Sequence, residues 1–168
     1  MRATALHEAG HAVAAYHLRI RFGHLAIGKA TGPELGWLDL WLTPRVSTRD
    51  VSDMRTEHAI ARSVMVLLAG SQAERMALGR ARPLGGSLDF YEAMRYAGYL
   101  CRTQQEMSAY LRWMQLRVRA LVASPSWRGP IEALAAALAK HGALGAREAR
   151  AIIRRAIPAS ATGPGPRT

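Results

Sequence analysis

The chain has 168 residues, of which 49% are hydrophobic and 21% charged, a composition typical of one globular domain with a sizeable core. Its single cysteine, Cys101, excludes an intramolecular disulfide framework and a thiolate-rich metal site, so any metal must use histidine and carboxylate. We therefore expect a reducing, cytoplasmic setting. No stretch reaches the roughly 18 to 20 apolar residues of a membrane span, and the first residues do not resemble a signal peptide. We expect neither secretion nor a membrane span.

The formal net charge of +11 could indicate contacts with nucleic acid, an anionic membrane surface or an acidic partner. Nearly all the basic residues are arginines, however, and they are scattered along the chain. The densest groups are Arg112, Arg117 and Arg119, and then Arg147, Arg150, Arg154 and Arg155. They stand at helical spacings beside apolar residues, as on the solvated faces of amphipathic helices. We interpret them as solvated surface and do not expect nucleic acid as a partner.

The first half of the chain predicts a helix, two strands and a second helix. An Ala-rich stretch predicts a helix over residues 4–18. Two strand candidates, residues 24–29 and 36–42, are separated by a turn-rich TGPE segment, which favours a hairpin or two sheet edges. A polar loop follows over 44–53, and apolar residues at helical spacing then predict a long helix that ends near Gly79.

The second half is predicted to be helical. The expected helices cover residues 89–107, 109–122, 131–141 and 146–157, with a break at SPSW, residues 124–127. The last residues, 158–168, are rich in Pro, Gly, Ser and Thr and are predicted to be a disordered tail. The sequence thus predicts one domain over residues 1–157, mainly α (α+β), with a small hairpin or sheet after the first helix.

The first helix contains the segment HEAGH, which fits the zincin pattern H-E-x-x-H. His7 and His11 are four residues apart and therefore offset by only about 40° around a helix, so both imidazoles can reach one zinc ion. Glu8 lies on an adjacent part of the helix surface, where it can take a proton from water rather than bind the metal. The pattern predicts a zinc site with Glu8 as general base.

A catalytic zinc needs a third protein ligand. His17 has the metzincin spacing, but the turning glycine of that pattern is replaced by Ala14. Continued helix would rotate His17 by about 240° from His11, away from the metal. Two candidates remain open on spacing alone, Glu57 at the start of the second long helix and Asp89 after the PLGGS loop. Weaker candidates, expected to support the site or lie on the surface, are Glu74 and Glu92.

Several segments together resemble the zinc peptidase domain of the FtsH-type ATP-dependent proteases. They are HEAGHAVAAY (7–16), LLAGSQAERMALG (67–79) with its Gly-x-x-Ala-Glu, GGSLDFYEAMRYA (85–97), and the closing helices over 130–153. Their order along the chain is that of the family, and they span most of the residues predicted to be ordered.

The resemblance implies a mostly helical, zincin-like metalloendopeptidase domain that hydrolyses unfolded polypeptides. It implies that His7, His11 and Asp89 bind Zn²⁺ and that Glu8 is the general base, so the resemblance favours Asp89 over Glu57. The family feeds its substrates from an attached ATPase, but this sequence has no P-loop of the form G-x-x-x-x-G-K-[ST]. An ATPase acting in trans and a homo-oligomer remain open as partners.

Two alternative functions remain. One is a non-proteolytic, regulatory binding domain that keeps the peptidase fold and binds little or no zinc. The other is a DNA-associated regulatory metalloprotease with the same HExxH motif, with Glu57 as the third ligand and basic helices contacting nucleic acid.

Overall fold

The computed structural model describes residues 2–28, 36–40, 53–79 and 88–159. Over these residues it is mainly helical with a small antiparallel sheet, as the sequence predicted. The helices are α1 (Arg2–His17), α2 (Met54–Leu78), α3 (Leu88–Ala97), α4 (Gln104–Ala123), α5 (Pro125–His141) and α6 (Ala146–Ala156). The strands are β1 (Phe22–Ile27), β2 (Gly36–Leu40) and β3 (Ala143–Leu144).

Helices α1 and α2 form the centre of the fold. Small residues dominate α1, and nearly all of its residues from Thr4 to Ala15 are buried, so it is surrounded by protein on most sides. It packs against α2 and α5, and α2 also contacts α3 and α4. The two central helices approach closely because Gly10 has no side chain. A Cβ added at Gly10 would lie 2.8 Å from the Ala69 carbonyl oxygen and 2.8 Å from the Ala73 Cβ.

The sheet lies beside α1 and has the order β2-β1-β3. β1 and β2 pair antiparallel, which confirms the hairpin predicted after the first helix, although β1 begins two residues earlier than expected. Leu25 pairs with Leu38 on one side and with Leu144 on the other. The predicted loop over 44–53 and the predicted end of β2 at residues 41–42 fall almost wholly outside the described residues. So does most of the predicted tail.

The ends of α2 follow capping rules that the sequence anticipates. The Asp53 side chain accepts a hydrogen bond from the Arg55 amide at the N-terminal end. At the C-terminal end, Gly79 has a φ of 69°, in the left-handed region that glycine adopts without a steric penalty. The predicted end of this helix near Gly79 is confirmed.

Two helix boundaries differ from prediction. The helix predicted over 89–107 ends at Ala97, and α4 begins after Thr103. Thr103 accepts a hydrogen bond from the Glu106 amide, while the Glu106 carboxylate accepts one from the Arg102 amide. This arrangement resembles a capping box, except that Glu106 bonds the amide of the residue before the N-cap, and it starts a new helix where apolar spacing alone suggested continuity. Further along, α5 begins at Pro125 rather than 131, because proline is well tolerated in the first helical turn.

None of the helices in the described ranges combines the length and the apolar character that crossing a membrane requires.

The close contact at Gly10 gives a stability prediction. Gly10→Ala should lower the free energy of unfolding by about 1 to 2 kcal/mol, because the cost of overpacking exceeds the gain in helix propensity. Urea unfolding followed by circular dichroism measures the change. Gly98→Ala is the matched control, since a Cβ there makes only ordinary contacts, the nearest at 3.4 Å, and the residue does not have a positive φ. Equal effects of the two substitutions would contradict the packing explanation.

Candidate metal centre

Three side chains predicted as ligands meet in the structure. His7 and His11 extend from α1 and Asp89 from the first turn of α3, and one ligand atom of each lies within 4.8 Å of the others. Oδ2 of Asp89 is 2.9 Å from Nε2 of His7 and 3.3 Å from Nε2 of His11. The fold therefore joins residues that are far apart in the sequence.

The other nitrogen of each imidazole is already engaged. Nδ1 of His11 donates to the Val66 carbonyl oxygen at 2.7 Å, which fixes the hydrogen on that nitrogen. Nδ1 of His7 lies 2.9 Å from Oε1 of Glu74, a buried carboxylate that accepts its hydrogen when ionised. Each neutral ring therefore directs the lone pair of Nε2 towards Asp89. Such hydrogen bonds from the remaining ring nitrogen are typical of histidines that bind metals.

This arrangement needs positive charge at its centre. Two Nε2 lone pairs and a carboxylate oxygen repel one another unless a proton or a metal cation lies among them. Burial acts to lower the pKa of His7, but hydrogen bonds to Asp89 and Glu74 outweigh it and raise that pKa to about 9. Burial likewise acts to raise the pKa of Asp89, but the two histidines hold it well below its usual range. The site thus favours cations.

The donor set fits zinc. Two imidazole nitrogens and one carboxylate oxygen form a three-ligand set typical of catalytic zinc, and ligand atoms about 2.0 to 2.2 Å from a tetrahedral ion are roughly 3.3 Å apart. The contacts of 2.9 and 3.3 Å to Asp89 are close to that spacing. Access differs around the site, since the Asp89 side chain is 32% exposed and that of His11 only 4%. Solvent or a substrate can therefore approach from the Asp89 side.

Gly70 on α2 provides the space in which the imidazoles lie. A Cβ at this position would come within 2.5 Å of Nε2 of His11 and 2.8 Å of Nε2 of His7. A side chain on a helix covers the turn that precedes its own residue. Because Gly70 has no side chain, the Val66 carbonyl, one turn earlier, stays accessible to His11. A carbonyl oxygen can accept two hydrogen bonds, so His11 can bond to it without breaking the helix.

Glu8 is buried beside the two histidines, with 6% of the residue exposed. Burial raises the pKa of its carboxyl group, while the charges of His11 and His7 act to lower it. The net upward shift brings this pKa closer to neutrality, where a carboxylate is a more effective base. The general-base role of Glu8 stays a prediction of the sequence pattern.

The other predicted candidates lie elsewhere. His17 stacks on the Trp127 ring, with centroids 5.0 Å apart, and its Nε2 donates to the Ser126 carbonyl oxygen. Glu57 is exposed and nine residues before Val66 on α2, about 13 Å along the axis, so the structure rules it out as a ligand of this group. Glu92 pairs with Arg95 on the surface of α3.

One of the two roles expected for Glu74, support of the site, is confirmed by its contact with Nδ1 of His7, whereas the role of Gly70 was not predicted. Both belong to GSQAE, residues 70–74, the Gly-x-x-Ala-Glu segment already noted in the family resemblance. The spacing of four residues places both on the face of α2 that meets α1. The same segment also contains Ala73, whose Cβ would lie 2.8 Å from a Cβ added at Gly10.

Comparison with known proteins adds no assignment. No protein-family model matches the chain, and no curated protein matches it significantly.

Gly70→Ala tests whether the cleared space matters. We expect zinc affinity to fall by more than tenfold, because the methyl group would displace both Nε2 atoms and ligand geometry determines affinity. Isothermal titration of the purified, metal-free protein with zinc measures this. Gly98→Ala should leave the affinity unchanged, since a Cβ there makes only ordinary contacts, the nearest at 3.4 Å. Unaltered affinity in Gly70→Ala would refute the proposed role of this residue.

Proposed function

We propose that this protein is a zinc-dependent endopeptidase that hydrolyses unfolded or flexible polypeptides. The observation that carries the proposal is the convergence of Nε2 of His7, Nε2 of His11 and Oδ2 of Asp89 while both Nδ1 atoms face other acceptors. This is the ligand set that the FtsH-type resemblance implies. The buried Glu8 beside it supplies the carboxylate that an H-E-x-x-H peptidase requires.

A bound Zn²⁺ would act as a Lewis acid that polarises the scissile carbonyl and lowers the pKa of water. The protein's own groups do the remaining work. The Glu8 carboxylate takes a proton from the water that adds to the carbonyl carbon, and later delivers it to the nitrogen of the leaving amine. The C–N bond breaks, one water is consumed, and a carboxylate and an amine are released.

The surrounding residues keep this arrangement in place. Glu74 and the Val66 carbonyl orient the two imidazoles, so their Nε2 atoms remain directed at the centre without reorganisation during the reaction. Asp89 contributes the negative charge that helps to retain a divalent cation. Its partial exposure leaves a side from which a polypeptide can approach.

An extended polypeptide is the substrate class that the resemblance suggests. We propose a cytoplasmic setting and an ATPase acting in trans as the source of unfolded chains. We also propose that this protein forms a homo-oligomer. A DNA-associated metalloprotease is less well supported, because its third ligand, Glu57, lies about 13 Å along α2 from Val66.

Metal content separates the candidate ligands. Asp89→Ala and His7→Ala should lose bound zinc, whereas Glu57→Ala should retain it at the wild-type level. Inductively coupled plasma mass spectrometry of the purified variants measures zinc per chain, with circular dichroism to confirm folding. Loss of zinc in Glu57→Ala alone would overturn the site.

Proteolysis tests the reaction. Wild type should cleave casein, an unstructured substrate, and a chelator should abolish cleavage. Glu8→Gln should retain zinc but lose activity by at least 100-fold, because the amide cannot accept the proton. Glu92→Gln, a surface change on α3, is the matched control and should remain active. If wild type with bound zinc fails to cleave any unfolded substrate, the regulatory binding domain becomes the better interpretation.

A further inference from the structure

Helix α4 has apolar residues on two opposite faces. One face is buried in the core and consists of Leu111, Met114, Val118 and Val122. The other is exposed and runs along most of the helix. It consists of Ala109, Trp113, Leu116, Ala120 and Ala123. The exposed fraction is 49% for Trp113 and 58% for Leu116, and these two large side chains are neighbours, three residues apart on the helix surface.

The exposed residues are spaced by four, three, four and three positions. This is the a/d pattern of a coiled-coil seam, with Trp113 and Ala120 at a and the other three at d. A seam of this kind is narrower than the face that packs a helix onto a globular core. α4 already uses its opposite face for that purpose, so this second stripe can bind an additional helix. We call it the α4 seam.

Arginines border the α4 seam on both sides. In the same heptad register, Arg112 and Arg119 occupy g positions and Arg117 occupies an e position, and all three are exposed. Among the described residues none of them forms a salt bridge, although the Arg117 guanidinium lies over the Trp113 ring at 4.9 Å. The only acidic residue of α4 is Glu106, whose carboxylate accepts a hydrogen bond from the Arg102 amide at the helix start. Within α4, the charged residues at the e and g positions of this register are therefore all arginines.

We propose that the α4 seam is a docking site for an amphipathic helix of another protein, with apolar residues at its own a and d positions and Asp or Glu at e and g. Charges at e and g determine partner choice in coiled coils, and three arginines there select acidic partners. This assigns a function to arginines that the sequence analysis interpreted as solvated surface.

The same charges argue against a second copy of this chain as the occupant. In a parallel pair, Arg112 of one copy at g would face Arg117 of the other at e, and an antiparallel pair would place g-position arginines together. Like charges across such a pair repel, and the net charge of +11 adds to the repulsion. The a/d spacing and the small alanines favour close packing of a helix over insertion into a lipid surface, which requires more large apolar side chains.

Two designed peptides of three heptads test the proposal. Both have leucine at a and d, but one has Glu and the other Lys at every e and g position. Like charges at e and g keep two copies of the same peptide from pairing at neutral pH, so each peptide remains available to bind the protein. Fluorescence anisotropy of the labelled peptides should show that the full-length protein binds the acidic peptide at least tenfold more tightly. The preference should shrink as salt is raised.

Variants connect this binding to α4. Trp113→Gln with Leu116→Gln should abolish binding, whereas Tyr91→Gln, an exposed aromatic on α3, should leave it unchanged. Replacing Arg112, Arg117 and Arg119 together by Glu should reverse the preference towards the basic peptide, a gain that misfolding cannot produce. Equal binding of both peptides, or no binding up to about 1 mM, would overturn the proposal.

Two results that identify a different occupant of the α4 seam would also overturn the proposal. One outcome is a concentration-dependent dimer in light scattering that the paired Gln substitutions abolish. The other is binding to phosphatidylglycerol vesicles that depends on Trp113, in the absence of any preference between the peptides.

Discussion

The close crossing of α1 and α2 determines the rest of this structure. Without a side chain at Gly10 the two backbones come together, and without one at Gly70 the imidazoles of α1 can lie directly on α2. His11 then reaches the Val66 carbonyl and His7 reaches Glu74, so α2 contributes to the site through a backbone oxygen, a carboxylate and an empty space. The crossing therefore serves both core packing and ligand orientation.

The electrostatics of the centre follow from this packing. The carboxyl groups of Glu8, Glu74 and Asp89 surround two imidazoles in a largely buried region, and buried negative charge is costly unless it is balanced. A proton on His7 can supply part of the balance, because its hydrogen bonds to Asp89 and Glu74 raise its pKa to about 9 against the effect of burial. A divalent cation would supply more, which is the physical reason that the same cluster suits a metal.

The sequence predicted the fold class and the parts of the site that lie within one helix. It did not predict how the helices that carry the site are arranged relative to one another. HEAGH places two imidazoles on one helix face by spacing alone, and Gly79 marks the end of α2. Spacing could not choose between Glu57 and Asp89, because that choice depends on where α2 and α3 lie relative to α1. The space at Gly70 depends on a helix crossing and leaves no local signal. The boundary between α3 and α4 was predicted near residue 108 instead of at 98–103, because apolar spacing continues through the Thr103 cap.

Helix α3 shows how the candidate metal centre depends on its neighbours. It has 10 residues, too few for a stable isolated helix, so its position, and that of Asp89 in its first turn, depends on packing against α2 and α4. The buried residues of α4 lie on the side of that helix that faces the core, while the α4 seam lies on the opposite side. A helix docked on the seam would therefore leave the buried face of α4 in place. The same helix can pack against the core on one side and present an arginine-flanked surface on the other.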